Sequence, residues 1–316
     1  MSATLLDTPL EPGSPEWRAA LTASKIPAML RLNPPGWGNR FSLWHEMAGL
    51  VPADESTDEM RRGHYLEPAI AAWFADQHPE WRIVRTGTWR NDQRIWQYSN
   101  PDRLIWRTGG RRRILELKSD ASGYEFGTPG TDEIPVFYRA QGLWQMDTLD
   151  AEVVHFAVVN SRLSFAEYVI HRTPEVEEEI RWLRGEALAF LATLPGGSNP
   201  TRPDIDEDTT TYETLRKLAP GFDGTDAVPI EPSLADRYFA AIDAEDAAKA
   251  ERQHAASLVL DAIGEGRRAV TVTPGDDDTS IETHIATRVP GRGDNPPYLK
   301  KGTRKTSFIT DIRSAA

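Results

Sequence analysis

Residues 100–118 constrain this chain more than any other stretch. Asn100-Pro101-Asp102 opens a segment that returns on itself through the paired glycines Gly109 and Gly110, a hairpin signal, into Ile114-Leu115-Glu116-Leu117-Lys118. The period of two in a strand puts Glu116 and Lys118 on one face and Leu115 and Leu117 on the other, towards a core. The hairpin folds Asp102 back beside the Glu116-Leu117-Lys118 strand. Two carboxylates converging from neighbouring strands are hard oxygen ligands suited to Mg²⁺ or Mn²⁺, and a lysine beside them can hold a water or an anionic oxygen. This set suits phosphodiester cleavage. Taken alone, a Glu-x-Lys pair reads more readily as a solvated, salt-bridged strand face, so the flanking sequence has to decide.

The chain has 316 residues and no cysteine, which excludes disulfides, thiolate-bound zinc, a cysteine nucleophile and a cysteine-held iron–sulfur cluster. No run approaches the roughly 18 consecutive apolar residues of a membrane helix, and no basic-then-apolar leader opens the chain, so a cytoplasmic protein is expected. A formal net charge of −12 argues against broad electrostatic attraction to nucleic acid. It leaves room for a local basic channel, and bound cations would cancel the acids of a metal site.

Three features flank the hairpin. Residues 1–15 read as a loose arm, followed by Trp17, Arg18 and the run Thr22-Ala23-Ser24, where Thr22 or Ser24 would cap a short helix carrying Ile26, Met29 and Leu30. After a Pro/Gly loop and a short packing helix over 33–52 comes Gly63-His64-Tyr65-Leu66-Glu67-Pro68. Leu66, Ala69, Ile70, Trp73 and Phe74 there form a buried helical stripe, and Pro68 would kink the helix or begin a new segment. Beyond the hairpin, Val136–Met146 reads as a helix with Tyr138, Gln141 and Gln145 on one face and Phe137, Ala140 and Trp144 on another. Trp81–Lys118 reads as three or four antiparallel strands, Asp102 beginning the third.

In this order, over roughly residues 16–172, these features resemble the YqaJ-like viral recombinase and lambda exonuclease branch of the nucleases named for the Pro-Asp, Asp/Glu-x-Lys motif. The resemblance implies a restriction-endonuclease-like α/β core of the α+β type, with a central mixed β-sheet flanked by helices. It implies catalytic roles for Asp102, Glu116, Lys118, Gln141 and Glu67. Metal binding would fall to Asp102, Glu116, the Leu117 carbonyl and Glu67, holding one or two Mg²⁺ or Mn²⁺ ions. Arg18, Ser24 and Tyr138 become phosphate contacts. Arg18 sits one residue closer to the serine than in the lambda enzyme, and Arg103 stands where the family usually has glycine. The implied function is a metal-dependent exonuclease of a phage or prophage recombination system, digesting one strand of linear double-stranded DNA from its 5′ end. Its implied partners are duplex ends, a single-strand annealing protein and further copies of itself, as a ring. An endonuclease or repair nuclease on the same fold and a catalytically inactive DNA-binding scaffold are the alternatives.

Apolar strands at 152–159 and 165–170 would extend the sheet, and His155 and His171 in and after them have plain structural readings. An amphipathic helix over 174–194 closes a first domain at 195, ahead of a linker over 196–211. Residues 212–316 form a separate extension of two helices or one long one and a β-hairpin whose turn contains Asp276-Asp277-Asp278. Its tail from Arg288 to Arg313 is basic and suits a DNA or partner contact as well as a solvated tail. Arg111, Arg112 and Arg113, just ahead of the Glu-x-Lys strand, suit either a phosphate backbone or a solvated hairpin flank.

Overall fold

A computed structural model describes the chain except residues 1–2, 12, 53–56, 122–124, 222–223, 225–226, 275–279, 303–311 and 315–316. The run Asp276-Asp277-Asp278 and, in the basic tail, Arg304, Lys305 and Phe308 lie outside the described residues. The chain divides into residues 1–221 with 307–316, and residues 222–306, a different division from the 195 boundary and 196–211 linker expected.

The first unit starts with β1 (Ala3–Leu5), α1 (Pro15–Ala19) and β2 (Leu21–Thr22). Ser14 caps α1, its hydroxyl accepting the Trp17 N–H at 3.1 Å, and Pro15 takes the first helical position, where a missing N–H loses nothing. The cap expected from Thr22 or Ser24 does not form. Thr22 belongs to β2 and Ser24 to a tight turn ahead of α2 (Ile26–Met29), so their hydroxyls bond each other at 3.1 Å instead. Lys25 in that turn is buried, and its ammonium donates to the carbonyls of Trp17, Arg18 and Ala20 at 2.6, 2.9 and 2.9 Å. They lie at the C-terminal end of α1, where helical carbonyls run short of N–H partners, and the Trp17 carbonyl also accepts the Ala20 N–H at 3.3 Å. Burial lowers the Lys25 pKa to about 8.

A reciprocal capping box between Asn39 and Ser42 opens α3 (Arg40–Met47). The next helix, α4 (Asp58–Gln77), runs on through Pro68, so no new segment begins there. Proline removes one helical hydrogen bond, but Ile70 and Phe74 on the following turns bury against the sheet and keep the segment helical.

Between Trp81 and Asp120 the chain makes five strands rather than three or four: β3 (Arg82–Arg85), β4 (Trp89–Asn91), β5 (Gln97–Ser99), β6 (Arg103–Trp106) and β7 (Arg113–Asp120). They divide between two sheets, and Asp102 precedes the fourth. One small sheet has the order β1-β4-β5-β2. The larger is completed by β8 (Val153–Asn160) and β9 (Phe165–His171), in the order β3-β6-β7-β8-β9, antiparallel except between β7 and β8. A parallel pair needs a crossover, and α5 (Val136–Leu149) supplies it. β8, central and covered on both faces, is correspondingly buried from Val153 to Val159. The central mixed sheet flanked by helices is the architecture expected.

One face of this sheet packs Ile105, Leu115, Leu117 and Ala157 against Ile70 and Phe74 of α4. The other packs Ile114, Phe156 and Val158 against α5 and α6 (Pro174–Thr193). α7 (Thr209–Leu218) stays with this unit because Asn39 Nδ2 donates to both oxygens of Asp206 at 2.9 Å and to the Thr211 hydroxyl at 2.7 Å. Near the end of the chain, Ile312 is fully buried in the same core, and its N–H donates to Glu179 at 3.1 Å. In the second unit, α8 (Pro232–Ile263) is one helix of 32 residues. β10 (Arg268–Pro274), β11 (Ser280–Val289) and β12 (Tyr298–Lys301) form an antiparallel sheet, the last strand arising within the stretch expected to be a tail.

The approach of α5 to β8 is tightest at Gly142, where a Cβ would meet Phe156 Cζ at 2.8 Å. Gly142→Ala is expected to lower stability by about 1–3 kcal/mol through overpacking, read as a lower urea midpoint, with partial recovery on adding Phe156→Leu. An unchanged midpoint would mean that α5 has slack over the sheet.

Candidate active site

The β6–β7 turn delivers the two acids. Gly109, at φ +75°, takes a backbone conformation that other residues resist, and the strands then pair with Arg103 opposite Leu115 and Leu104 opposite Ile114. That register sets Asp102 beside Glu116. The Leu117 N–H donates to Asp102 Oδ2 at 2.8 Å, and the Asp102 N–H donates to Glu116 Oε1 at 3.3 Å. Both polar backbone groups of a strand residue project to the same side, so the Leu117 carbonyl faces the gap that opens where β6 begins.

From β7 itself, Lys118 Nζ donates to Glu116 Oε2 at 2.7 Å. From α5, Gln141 Nε2 donates to the same oxygen at 3.0 Å, Gln145 Nε2 donates to Oε1 at 2.7 Å, and Lys118 Nζ donates to Gln141 Oε1 at 3.4 Å. The Tyr138 ring lies 4.9 Å from Lys118 Nζ. Four donors thus hold Glu116, which is 1% exposed. The sequence places Gln145 on the face of Tyr138 and Gln141 without marking it as part of the site. Its signal is a second glutamine one turn beyond Gln141, on a helix otherwise apolar around it.

The electrostatics follow from this packing. Burial, reinforced by the charge of Glu116, pushes the Asp102 carboxyl up to about 7 against the opposing pull of Lys118. Burial alone would lower the Lys118 pKa, but Glu116, Asp102 and Tyr138 outweigh it and hold it above the ordinary lysine value. Lys118 is therefore an ammonium at neutral pH. His155, on the other face of the sheet, is held down to about 4 by burial and by Arg113 and stays neutral, in keeping with its structural reading.

Asp102, Leu117, Lys118, Tyr138 and Glu67 line one groove of about 790 Å³, with Trp37 and Met60 at its side. Ser24 lines an adjoining depression with Trp17, Lys25 and Trp37. Arg18 is half-buried on α1 and is not among the described residues lining either hollow. Glu67 reaches the groove but its Oε1 accepts from Arg103 Nη1 at 2.5 Å, and the same Nη1 donates to the Asp102 carbonyl at 2.6 Å. Among the described residues no group of three or more histidines and carboxylates is gathered closely enough to hold a metal ion. The donor set still fits Mg²⁺, which typically takes one or two protein carboxylates and fills its other positions with water and phosphate oxygens. Asp102 and Glu116 supply two hard carboxylates packed so closely that Asp102 resists ionising without a cation.

Residues 16–152 match the model of the YqaJ-like viral recombinase domain family. Several solved nucleases are similar at low identity. An alkaline exonuclease from Laribacter hongkongensis is 20% identical over 57% of this chain and 91% of that one, with a TM-score of 0.43. The same enzyme in complex with dAMP is 19% identical over 66% and 98%, with a TM-score of 0.44. A phage related exonuclease from Haemophilus somnus 129PT is 14% identical over 54% and 92%, with a TM-score of 0.40. No curated protein matches the chain.

Two outcomes test this arrangement. Arg103→Met should release Glu67 to the groove and tighten Mn²⁺ binding by roughly tenfold in calorimetric titration, the scale of outer-sphere effects on metal sites. Unchanged affinity would show that Glu67 does not reach the ion. An unfolded aspartate titrates near ~3.9, so the folded, metal-free chain keeps a proton on Asp102 that the unfolded chain releases. Stability in chelator should therefore fall as pH rises from about 4 towards the Asp102 value of about 7, and Asp102→Asn should flatten that slope. Equal urea midpoints for the wild type across that window would contradict the assignment.

Proposed function

We propose that this chain is a metal-dependent DNA exonuclease working from the 5′ ends of linear duplex DNA in a recombination system of the phage or prophage type. The observation that carries the reading is that Asp102, Lys118 and Gln141 are each bonded to the buried Glu116, with Asp102 and Lys118 lining one groove. The YqaJ-like domain over the residues that contain them supports it.

Asp102 and Glu116, with the Leu117 carbonyl and Glu67, would hold one or two Mg²⁺ or Mn²⁺ ions. When bound, such ions lower the pKa of a water and neutralise charge building on the phosphorus and its leaving oxygen. Lys118, charged and pinned between Glu116 and Gln141, orients the attacking water or a phosphate oxygen rather than removing a proton. Gln141 and Tyr138, on the face of α5 turned to the groove, help place the phosphate. Ser24, in the adjoining depression, receives a terminal phosphate together with Arg18. Duplex ends are the substrate, and the product strand passes to an annealing protein. The enzyme works as a homo-oligomer, a ring, in the host cytoplasm. Among the described residues no helix is long and apolar enough to cross a membrane.

One observation favours a second reading. The ion pair of Arg103 with Glu67 withholds an acid that the family uses for metal, which suits a DNA-binding scaffold without cleavage. Linear duplex DNA labelled at either end, with and without a 5′ phosphate, distinguishes the readings when incubated with Mg²⁺ and wild-type or Lys118→Ala protein. Stepwise loss from 5′ ends that Lys118→Ala abolishes while Mn²⁺ affinity stays within a few-fold is the expected result. Cleavage of circular DNA would move the assignment to an endonuclease. Binding without cleavage in either metal would leave the scaffold.

A further inference from the structure

Around the turn that joins β6 to β7, at the far end of β7 from Lys118, five arginines gather: Arg82, Arg107, Arg111, Arg112 and Arg113. Two tryptophans organise four of them. The guanidinium of Arg82 lies 5.3 Å and that of Arg112 5.5 Å from the Trp106 ring, while those of Arg107 and Arg113 lie 4.7 and 5.0 Å from the Trp81 ring. The strand register produces the first group, since Arg82 stands directly opposite Trp106. Arg113, opposite Ile105, points to the α4 face, and Arg112 follows the other parity, so the cluster wraps the end of the sheet. A guanidinium laid on an indole is held extended, with its N–H groups at the ring's edge, and Arg113 there also reaches His155 Nε2 at 3.3 Å.

Two of the arginines pair with acids at the surface. Arg107 pairs with Glu80 at 2.7 Å and Arg111 pairs with Glu152, and both pairs are exposed on both partners. Exposed pairs of this kind bind weakly enough to be exchanged for another anion. A cavity of about 300 Å³ lies between Arg111–Arg113 and Leu149–Ala151.

The charge stands out because the rest of the molecule opposes it. The chain carries a formal −12, and the groove at Asp102 is lined by Glu59, Glu67, Asp102 and Glu125 against Arg62 and Lys118. Such a groove suits cations and repels a polyanion, so a nuclease built on it needs its attraction for DNA elsewhere. We propose that the arginine–tryptophan cluster at the β6–β7 turn binds the phosphodiester backbone of nucleic acid and anchors the substrate outside the cutting groove. The role as substrate anchor rests on the nuclease reading; the binding itself does not.

The test uses full-length Lys118→Ala protein in chelator, so that nothing is cut, and fluorescence anisotropy of labelled oligonucleotides. One arm is single-stranded, one is duplex, and poly-glutamate is the competitor. Substituting Arg82, Arg107 and Arg112 together by Gln should weaken at least one nucleic-acid arm tenfold or more. It should also lower the slope of log affinity against log salt by about 2, at roughly 0.7 to 0.9 for each phosphate that the protein no longer neutralises. Glu152→Gln should tighten the same arm. Thermal unfolding of each variant shows whether the fold is kept, and Arg→Lys at the three positions should restore the salt slope. Unchanged affinity and slope in both arms would overturn the proposal, as would loss of poly-glutamate binding alone. If the wild type cuts DNA and the triple variant binds it unchanged, the anchor fails and the nuclease reading stands. If nothing is cut but binding falls in the triple variant, the nucleic-acid site stands and the nuclease reading fails, and with it the role as substrate anchor.

Discussion

The chemistry of the first unit depends on keeping one carboxylate, Glu116, out of water. A buried charge costs several kcal/mol unless it is paired and hydrogen-bonded, and Glu116 is satisfied only by donors from three separate elements. The Asp102 N–H arrives from the start of β6, Lys118 from β7 itself, and Gln141 and Gln145 from α5. A slip of one residue between β6 and β7 would turn Glu116 and Lys118 to the apolar α4 face, so the hydrophobic pattern of the strand and the polar site enforce the same register. α5 is fixed in turn by two charged anchors along its length. Asp147 accepts from Gln97 Nε2 at 2.9 Å, Arg184 Nε at 2.8 Å and Arg94 Nη2 at 3.1 Å, and Arg139 pairs with Glu179 at 2.7 Å. The helix that carries the glutamines is thus held by the sheet beneath it and by ion pairs on its far side.

That arrangement separates two electrostatic tasks. Asp102 and Glu116 are crowded so that one of them resists ionisation, which stores a preference for a cation at the groove. Lys118 answers part of this charge and is itself kept protonated by it. A site tuned to attract cations does little to attract a polyanion at a distance, particularly in a chain of formal charge −12. The arginines around the β6–β7 turn reverse the sign locally, and all but Arg82 of β3 belong to the same hairpin that positions the acids. One hairpin therefore carries both charges, at opposite ends of β7.

Much of this is legible in the sequence because the signals are local. The Gly109-Gly110 turn, the alternation of Ile114 to Lys118 and the polar face of Tyr138, Gln141 and Gln145 each depend on residues a few positions apart, and the structure keeps all three. What escapes is non-local. Pro68 argues for a break, and only the burial of Ile70 and Phe74 against strands distant in sequence overrides it. The β-rich stretch from Trp81 reads as one sheet, because nothing local says that β4 and β5 pair with β1 and β2 while β3 pairs with β6. Ile312 gives no signal at all, since its place beside Glu179 comes from a segment more than a hundred residues downstream.

Arg103 shows how one side chain can tie two elements of the site together. A glycine there would leave the backbone before β6 free to turn and would leave Glu67 unpaired. The arginine is extended in β6, and through one nitrogen it ties Glu67 of α4 to the backbone of Asp102. It thus joins the helix on one face of the sheet to the acid that serves the other. The same bond draws away the carboxylate that would complete a three-acid metal site, so stiffness between α4 and β6 is gained against charge at the groove. On the nuclease reading, a divalent ion in the groove would compete with the guanidinium for Glu67. The strength of that competition would decide whether the ion is held by two carboxylates or three, and with it how much of a bound phosphate's charge would be left for Lys118 to neutralise.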